Sequence, residues 1–357
     1  MKHVAIIGSQ GLPAQYGGFE TLVENIVGEC RSPEALAYTV YCAARDYTTK
    51  LDTYKGARLK YIPLFHANGI HSTPYDALSL CRCLRGYDDV VALGVSGGLF
   101  MPLFKLFFKG KLIVNIDGRE HSRAKWGKFA KFYLKLCERL AVGCADTVIA
   151  DNEGIQTYIA EEYRKPSVLI AYGGDHALRS VPEARQEDIL KQYGLCTKSY
   201  GLAVCRIEPE NNCRITLEAF AQSGRELVFV GNWQHSAYGR ELKEKYAAHR
   251  NIHLLESVYD LDTLYALRRH ACWYVHGHSA GGTNPSLVEA MFFGVPILAY
   301  DVVYNRASTS DRAYYYRDAA DLQALLARTD LDGTTMRQIA ERHYTWQAIV
   351  RKYEALY

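Results

Sequence analysis

At 357 residues the chain exceeds the usual size of a single core, so two ordinary domains are expected. A formal net charge of +3 is too small to make nucleic acid the main ligand. The 10 cysteines include no Cys-x-x-Cys pair and no neighbouring histidine cluster, which suits small apolar residues in a reducing cytoplasm and excludes a disulfide framework or a zinc site.

The first apolar run, Val4 to Ile7, comes directly after Met1-Lys2-His3. It is too short for a signal peptide and lacks a small-residue cleavage site, so it reads as a core strand of a protein that is not exported. No uncharged run reaches the ~18 residues that a membrane span requires. After the strand comes a long glycine-bearing loop that ends in Gly17, Gly18, Phe19 and Glu20. A nicotinamide fingerprint places its third glycine in an immediately starting helix and an acid at the end of the next strand. Here Pro13 and the residues after it delay the helix to about Phe19, and the second strand ends in Tyr41-Cys42-Ala43-Ala44. The loop is better shaped for an acceptor-side or donor-phosphate contact, the alternative being a flexible surface loop.

Further short strands are expected at Tyr38 to Cys42, Val90 to Leu93, Leu112 to Ile116, Thr147 to Ala150 and Val168 to Ala171. Separated by amphipathic segments, they predict a parallel sheet covered by helices on both faces. Asp117 closes the strand that ends in Asn115-Ile116, where it can reach a sugar hydroxyl or simply cap the next helix. From Lys105 to Arg139 ten Lys/Arg stand against three Asp/Glu, with Phe104, Phe107, Phe108, Trp126, Phe129, Phe132 and Tyr133 interleaved. That surface suits adsorption to anionic lipid, or else is a solvated face over an ordinary core.

A Gly-, Pro- and charge-rich stretch, Gly173 to Glu187, opens a second series of strands at Gly201 to Cys205, Glu226 to Val230, Ile252 to Leu255, Trp273 to His276 and Pro296 to Tyr300. Arg206 stands at the end of the first, where a fixed positive charge can meet a leaving diphosphate or pair with Glu208 or Glu210. Gly231 and Asn232 come after the next strand, and Tyr259 after the one beyond it. These positions suit a base and its ribose, although Tyr259 and Trp233 can equally be packing residues. The strand Trp273 to His276 runs into Gly277-His278-Ser279-Ala280-Gly281-Gly282-Thr283-Asn284, then Pro285 and Glu289. Asn284 reads as an N-cap with Pro285 at the first helical position, so the turn's free N–H groups form an anion seat. Gly281 and Gly282 admit a close phosphate, His278 and Thr283 add polar contacts, and Glu289 one turn on can take two ribose hydroxyls. The helical tail containing Tyr344, Trp346, Ile349 and Tyr353 is expected to pack back on the first domain.

Gly17 to Glu20, Asn115 to Gly118, Arg123 to Trp126, Arg206 to Asn212, Gly231 to Trp233, His276 to Met291 and Tyr344 to Trp346 together resemble the family-four retaining glycosyltransferases of GT-B fold, and among them bacterial rhamnosyltransferases of capsule and O-antigen assembly. The resemblance implies an α/β protein of two Rossmann-like doubly wound domains facing across a cleft: an acceptor-binding domain 1–172, a nucleotide-sugar domain 173–335 and a returning helix 336–357. It further implies transfer without metal or cofactor, from dTDP-L-rhamnose to a lipid-linked saccharide, by a peripheral protein at the inner membrane face. Glu289 would hold the ribose, Arg206 the diphosphate, and the Gly17-Gly18 loop would close over the site. The family's usual lysine after the arginine is Asn211, its first glutamate is Gly281, and its sugar-contacting histidine is replaced by Asp117. Rival readings are a nucleotide-sugar 2-epimerase, for which no carboxylate-histidine set is evident around the turn, and a non-catalytic sugar-nucleotide-binding partner.

Overall fold

Strands buried on both faces read as unbroken apolar runs, and two such series set the architecture. The computed structural model describes residues 1–15, 17–64, 72–116, 118–123 and 126–357. Within it the chain divides into two compact units, Met1–Tyr172 with Trp346–Tyr357, and Gly173–Thr345.

The first unit contains β1 (Lys2–Ile7), α1 (Gly18–Gly28), β2 (Leu36–Ala43), β3 (Thr53–Tyr54), β4 (Ala57–Ile62), α2 (Thr73–Arg82), β5 (Asp89–Leu93), α3 (Met101–Phe107), β6 (Lys111–Ile116), α4 (Lys128–Cys144), β7 (Thr147–Ala150), α5 (Glu153–Tyr163) and β8 (Val168–Leu169). Its sheet runs β3-β4-β2-β1-β5-β6-β7-β8, parallel throughout except for the β3/β4 hairpin. Ile6 is in register with Val40 on one side and Val91 on the other, and all three are fully buried. Leu22, Val23 and Ile26 bring the inner stripe of α1 onto this layer. Each such side chain contributes about 1.5–3 kcal/mol by leaving water.

The second unit contains α6 (Glu183–Gln192), β9 (Tyr200–Val204), α7 (Cys213–Ser223), β10 (Glu226–Val230), α8 (Ala237–Tyr246), β11 (Ile252–Leu255), α9 (Leu261–His270), β12 (Trp273–His276), α10 (Pro285–Met291), β13 (Ile297–Tyr300), α11 (Val303–Ser308), β14 (Tyr314–Tyr316), α12 (Ala319–Ala327) and α13 (Thr334–His343). Its sheet is β11-β10-β9-β12-β13-β14, every pair parallel. In order of appearance this is the 3-2-1-4-5-6 winding, whose connections reverse direction between its first and fourth strands. The loops after β9 and β12 therefore flank the crevice where ligands of such sheets sit.

The tail does not keep to one path. The helix α13 stays in the second unit, burying Met336 and Ala340 behind Gly333, whose backbone abuts Val295. The chain breaks at Tyr344-Thr345, and α14 (Trp346–Glu354) alone joins the first unit. There Ile349 and Tyr353 enter the β1 core, Tyr353 Oη accepts from Asn115 Nδ2 at 2.7 Å, and Glu354 takes the N–H of Arg31 at 2.7 Å. The returning piece thus begins at 346 and not at 336. The strands β3, β4 and β14 are additions to the expected set. In β4 the charged Arg58 and Lys60 alternate with Ala57 and Leu59, and β14 is three tyrosines long, so neither offers the continuous apolar run that marks the other strands.

Candidate functional site

At the switch point of the second unit, the loops after β9 and β12 are stitched together by backbone-directed bonds. Asn212 Nδ2 donates to the Gly277 carbonyl at 2.8 Å, and the Ser279 N–H and hydroxyl both donate to the Glu210 carbonyl, at 2.9 and 2.7 Å. Gly277 is obligatory here, because a Cβ would lie 2.2 Å from the Asn211 carbonyl oxygen. Asn211 is buried, and its amide donates to the Arg206 carbonyl at 2.7 Å. It fixes the Arg206 backbone from below. The guanidinium of Arg206 remains 42% exposed, with Nη2 3.9 Å from Glu208 Oε2.

From this base α10 rises. Asn284 caps it, its side-chain oxygen accepting from the Ser286 N–H at 3.1 Å and the Ser286 hydroxyl at 2.8 Å, and Pro285 occupies the first turn as expected from the sequence. Glu289 projects one turn later and is 15% exposed. Its Oε2 accepts from Arg268 Nη2, a guanidinium only 6% exposed, and its Oε1 lies 3.4 Å from His176 Nε2. Burial pushes the Glu289 carboxyl up, but Arg268 and His176 outweigh it and hold the group below the usual carboxylate range. It is a carboxylate at neutral pH.

Neither partner stood out in the sequence. Arg268 sits in the Arg268-Arg269-His270 run that ends α9, a pattern ordinarily explained by the helix dipole. Its neighbours Ala266 and Leu267 are buried with it, so the inward turn was hidden by a cationic helix end. His176 lies in the stretch that composition marks as a linker. Its signal was the paired Gly173-Gly174: a Cβ on Gly174 would lie 2.8 Å from the backbone of both Val288 and Glu289, so only glycine lets this segment press His176 toward the α10 carboxylate. Gly174→Ala should cost about 1–3 kcal/mol, measured as a lower urea midpoint, because a helix backbone yields less readily than a side chain. A wild-type melt would show that the segment is not pinned.

Behind the turn, buried His276 stacks on His278, with ring centroids 4.3 Å apart and planes inclined by 12°. Burial drives the His276 pKa down to about 3, so it stays neutral. The His278 carbonyl accepts from Asn305 Nδ2 at 2.9 Å, which ties the turn to α11. Gly281 adopts φ +117° with no heavy atom within 4 Å of where a Cβ would stand; its glycine is required by conformation, and the space beside it is open. Gly281 and Gly282 are half-buried and Thr283 is buried.

The remaining expected contacts are scattered. Gly231 permits close packing, since a Cβ would come within 2.4 Å of the Ile207 side chain, and Asn232 beside it is exposed. Trp233 is a packing residue, fully buried edge-on against Phe229 with Nε1 donating to the Leu255 carbonyl at 2.9 Å. Tyr259 is exposed on the loop before α9. In the first unit, Asp117 lies outside the described residues. Gly17 takes φ +143°, and Glu20 folds back beneath it to accept the Gln10 N–H at 2.7 Å. Gly18 and Phe19 open α1, with the Phe19 ring against Gly94. Glu24 accepts the Ala14 N–H at 2.9 Å and Tyr47 donates to the Pro13 carbonyl at 3.0 Å, so the long loop is braced from several sides. Glu20 is one of those braces. Among the described residues no three His, Cys, Asp or Glu side chains converge as a metal site.

Residues 186–313 match the family described as "Glycosyl transferases group 1", and residues 1–175 match "Domain of unknown function (DUF1972)". No curated protein sequence matches the chain. Among solved structures it is similar to sucrose-phosphate synthase from Thermosynechococcus elongatus, at TM-score 0.82 and 17% identity over 100% of this chain and 98% of that one. HepE of Anabaena in complex with UDP gives TM-score 0.77 and 15% identity over 100% of this chain and 99% of that one. A Listeria monocytogenes protein assigned as a UDP-N-acetylglucosamine 2-epimerase gives TM-score 0.64 and 14% identity, covering 99% of this chain and 95% of that one. The fold is GT-B, with two Rossmann-like α/β domains carrying parallel sheets.

Proposed function

We propose that the protein transfers a sugar, with retention, from a nucleotide diphosphate to a lipid-linked saccharide; the match of residues 186–313 to the group 1 glycosyl transferases supports the transfer itself. The donor in this reading is dTDP-L-rhamnose, used without metal or cofactor in building a capsule or O-antigen type polysaccharide at the cytoplasmic face of the inner membrane. The observation that carries it is the ionised Glu289 at the switch point, gripped by Arg268 and His176. A carboxylate has about four acceptor positions. With Arg268 and His176 on its two oxygens, it still has capacity for two adjacent ribose hydroxyls. A nucleotide sugar as donor is supported by a structural neighbour, since HepE of Anabaena is known in complex with UDP and with UDP-glucose.

Chemistry is set by what the site lacks as well as by what it holds. The amide of Asn211, where the wider family has lysine, points to the Arg206 carbonyl, so Arg206 carries the positive charge for the leaving diphosphate. Gly281, where the family has glutamate, leaves room beside the turn, in keeping with a 6-deoxy sugar that offers fewer hydroxyls. In a front-face displacement the acceptor oxygen bonds to the anomeric carbon as the bond from that carbon to phosphate oxygen breaks, and the acceptor's proton passes to the departing phosphate. The protein positions the partners and stabilises the developing charge.

Purified protein incubated with a panel of nucleotide sugars should release nucleoside diphosphate from dTDP-L-rhamnose only when a lipid-linked acceptor is added. Acceptor-independent interconversion of UDP-N-acetylhexosamines would replace the proposal with a 2-epimerase. Nucleotide-dependent thermal stabilisation with no turnover on any donor would replace it with a binding partner.

A further inference from the structure

Apart from Lys105 the helix α3 is apolar on both its inner and its outer face, which core packing alone does not explain. Met101 and Phe104 bury one stripe, while Leu103, Leu106 and Phe107 face solvent, with Leu106 75% exposed. The preceding turn continues this outer face with Leu99 and Phe100, at the i, i+3, i+4 spacing that lines up on one side. In the same unit α3 packs against α4, whose first turns expose Phe129 (76%) and Phe132 three residues apart. Large exposed side chains gathered on neighbouring elements form the kind of patch that soluble surfaces avoid unless something covers it.

The charge around the patch selects what covers it. Between Val90 and Cys137 the only acids are Asp117 and Glu120; Lys105 pairs with Asp146 and Lys135 with Glu138 and Glu162, which leaves Lys109, Lys128 and Lys131 on or beside α3 and the first turns of α4 to face the patch's surroundings. Lys109 and Lys128 are exposed. A second copy of this surface would bring lysines against lysines. An anionic bilayer offers negative headgroups to the ammonium groups and acyl chains to the Phe and Leu side chains, which are the paired requirements of an interfacial helix. Among the described residues no helix is long and apolar enough to cross a membrane, so contact here would be lateral.

We propose that the face made by Leu99, Phe100, α3 and the first turns of α4 seats the protein on anionic phospholipid, the outer apolar side chains entering the headgroup boundary and the lysines binding the headgroups. This deepens the lipid-linked-acceptor reading and rests on it for its purpose. The full chain should sediment with vesicles of mixed phosphatidylcholine and phosphatidylglycerol and stay in solution with phosphatidylcholine alone. The pairs L106S/F107S and F129S/F132S should each lower the bound-to-free ratio roughly tenfold or more. The pair K109E/K128E should do the same and weaken the salt dependence that remains. All three should keep the wild-type melting temperature and the wild-type stabilisation by nucleoside diphosphate. Wild-type protein that ignores anionic vesicles overturns the proposal, as do variants that sediment like wild type, or a dimer that L106S/F107S converts to monomer with no vesicle binding. Vesicle binding that persists in a protein unresponsive to every nucleotide would retire the glycosyltransferase reading and leave this surface standing.

Discussion

Arg268→Ala is expected to unfold at a much lower denaturant concentration than wild type, with about 3 kcal/mol or more lost, because removing one partner of a buried pair leaves the other charge uncompensated. The pair qualifies: Arg268 is 6% and Glu289 15% exposed, and a guanidinium nitrogen donates directly to the carboxylate. A pH series separates this from a simple cavity. In the wild type the Glu289 carboxyl is held below its ordinary value of 4.5, so between the two values the unfolded chain binds more protons. The stabilisation is therefore complete above about pH 4.5 and disappears as pH falls through the folded value. Without Arg268 only His176 still opposes burial, which raises the carboxyl, so the downward shift shrinks. The variant should then gain less stability than wild type as pH rises from acid toward neutral, a flatter slope. If the two proteins run parallel across that range, the pair does not control Glu289.

The same geometry decides how Glu289 is best tested. Glu289→Ala strands the buried guanidinium, whose Nε has no hydrogen-bond partner among the described residues, so lost activity would be confounded by lost fold. Glu289→Gln keeps an acceptor for Arg268 and should remain folded, while turnover falls about tenfold through a weaker hold on the ribose.

Much of this architecture is legible in the sequence because parallel strands are apolar on both faces. Val4 to Ile7, Val90 to Leu93 and Trp273 to His276 each stand out by composition, and the Asn284-Pro285 cap by local chemistry. The elements that escaped lack that signal, as Arg58 and Lys60 in β4 show. The site was half legible for a related reason. Turn residues and the strand-end arginine announce themselves through local rules, but Arg268 and His176 gain meaning only by reaching Glu289 from 21 and 113 positions away in the chain. Glu20, expected in the contact loop, lies in the first turn of α1 and accepts the Gln10 N–H, a support that loop position alone does not reveal.

Arg206→Ala should separate catalysis from stability most cleanly. The side chain is 42% exposed and its approach to Glu208 is 3.9 Å, a geometry that contributes little to folding, so the urea midpoint should not move. Turnover should fall by about two orders of magnitude if this guanidinium meets the charge that develops on the departing diphosphate. The expectation is large because Asn211 offers no substitute: its amide donates to the Arg206 carbonyl, and at 3% exposure it has no freedom to turn outward. Arg206→Lys should recover part of the rate, since an ammonium supplies charge without the planar fork that matches two phosphate oxygens. The decisive comparison is kcat against nucleotide binding. A group acting on the transition state lowers kcat and kcat/KM together, whereas one that merely holds the donor raises KM and leaves kcat alone. Wild-type kcat in Arg206→Ala would move the charge-bearing role to the N–H groups of the Gly281 to Asn284 turn, and the proposed division of labour at the switch point would fail.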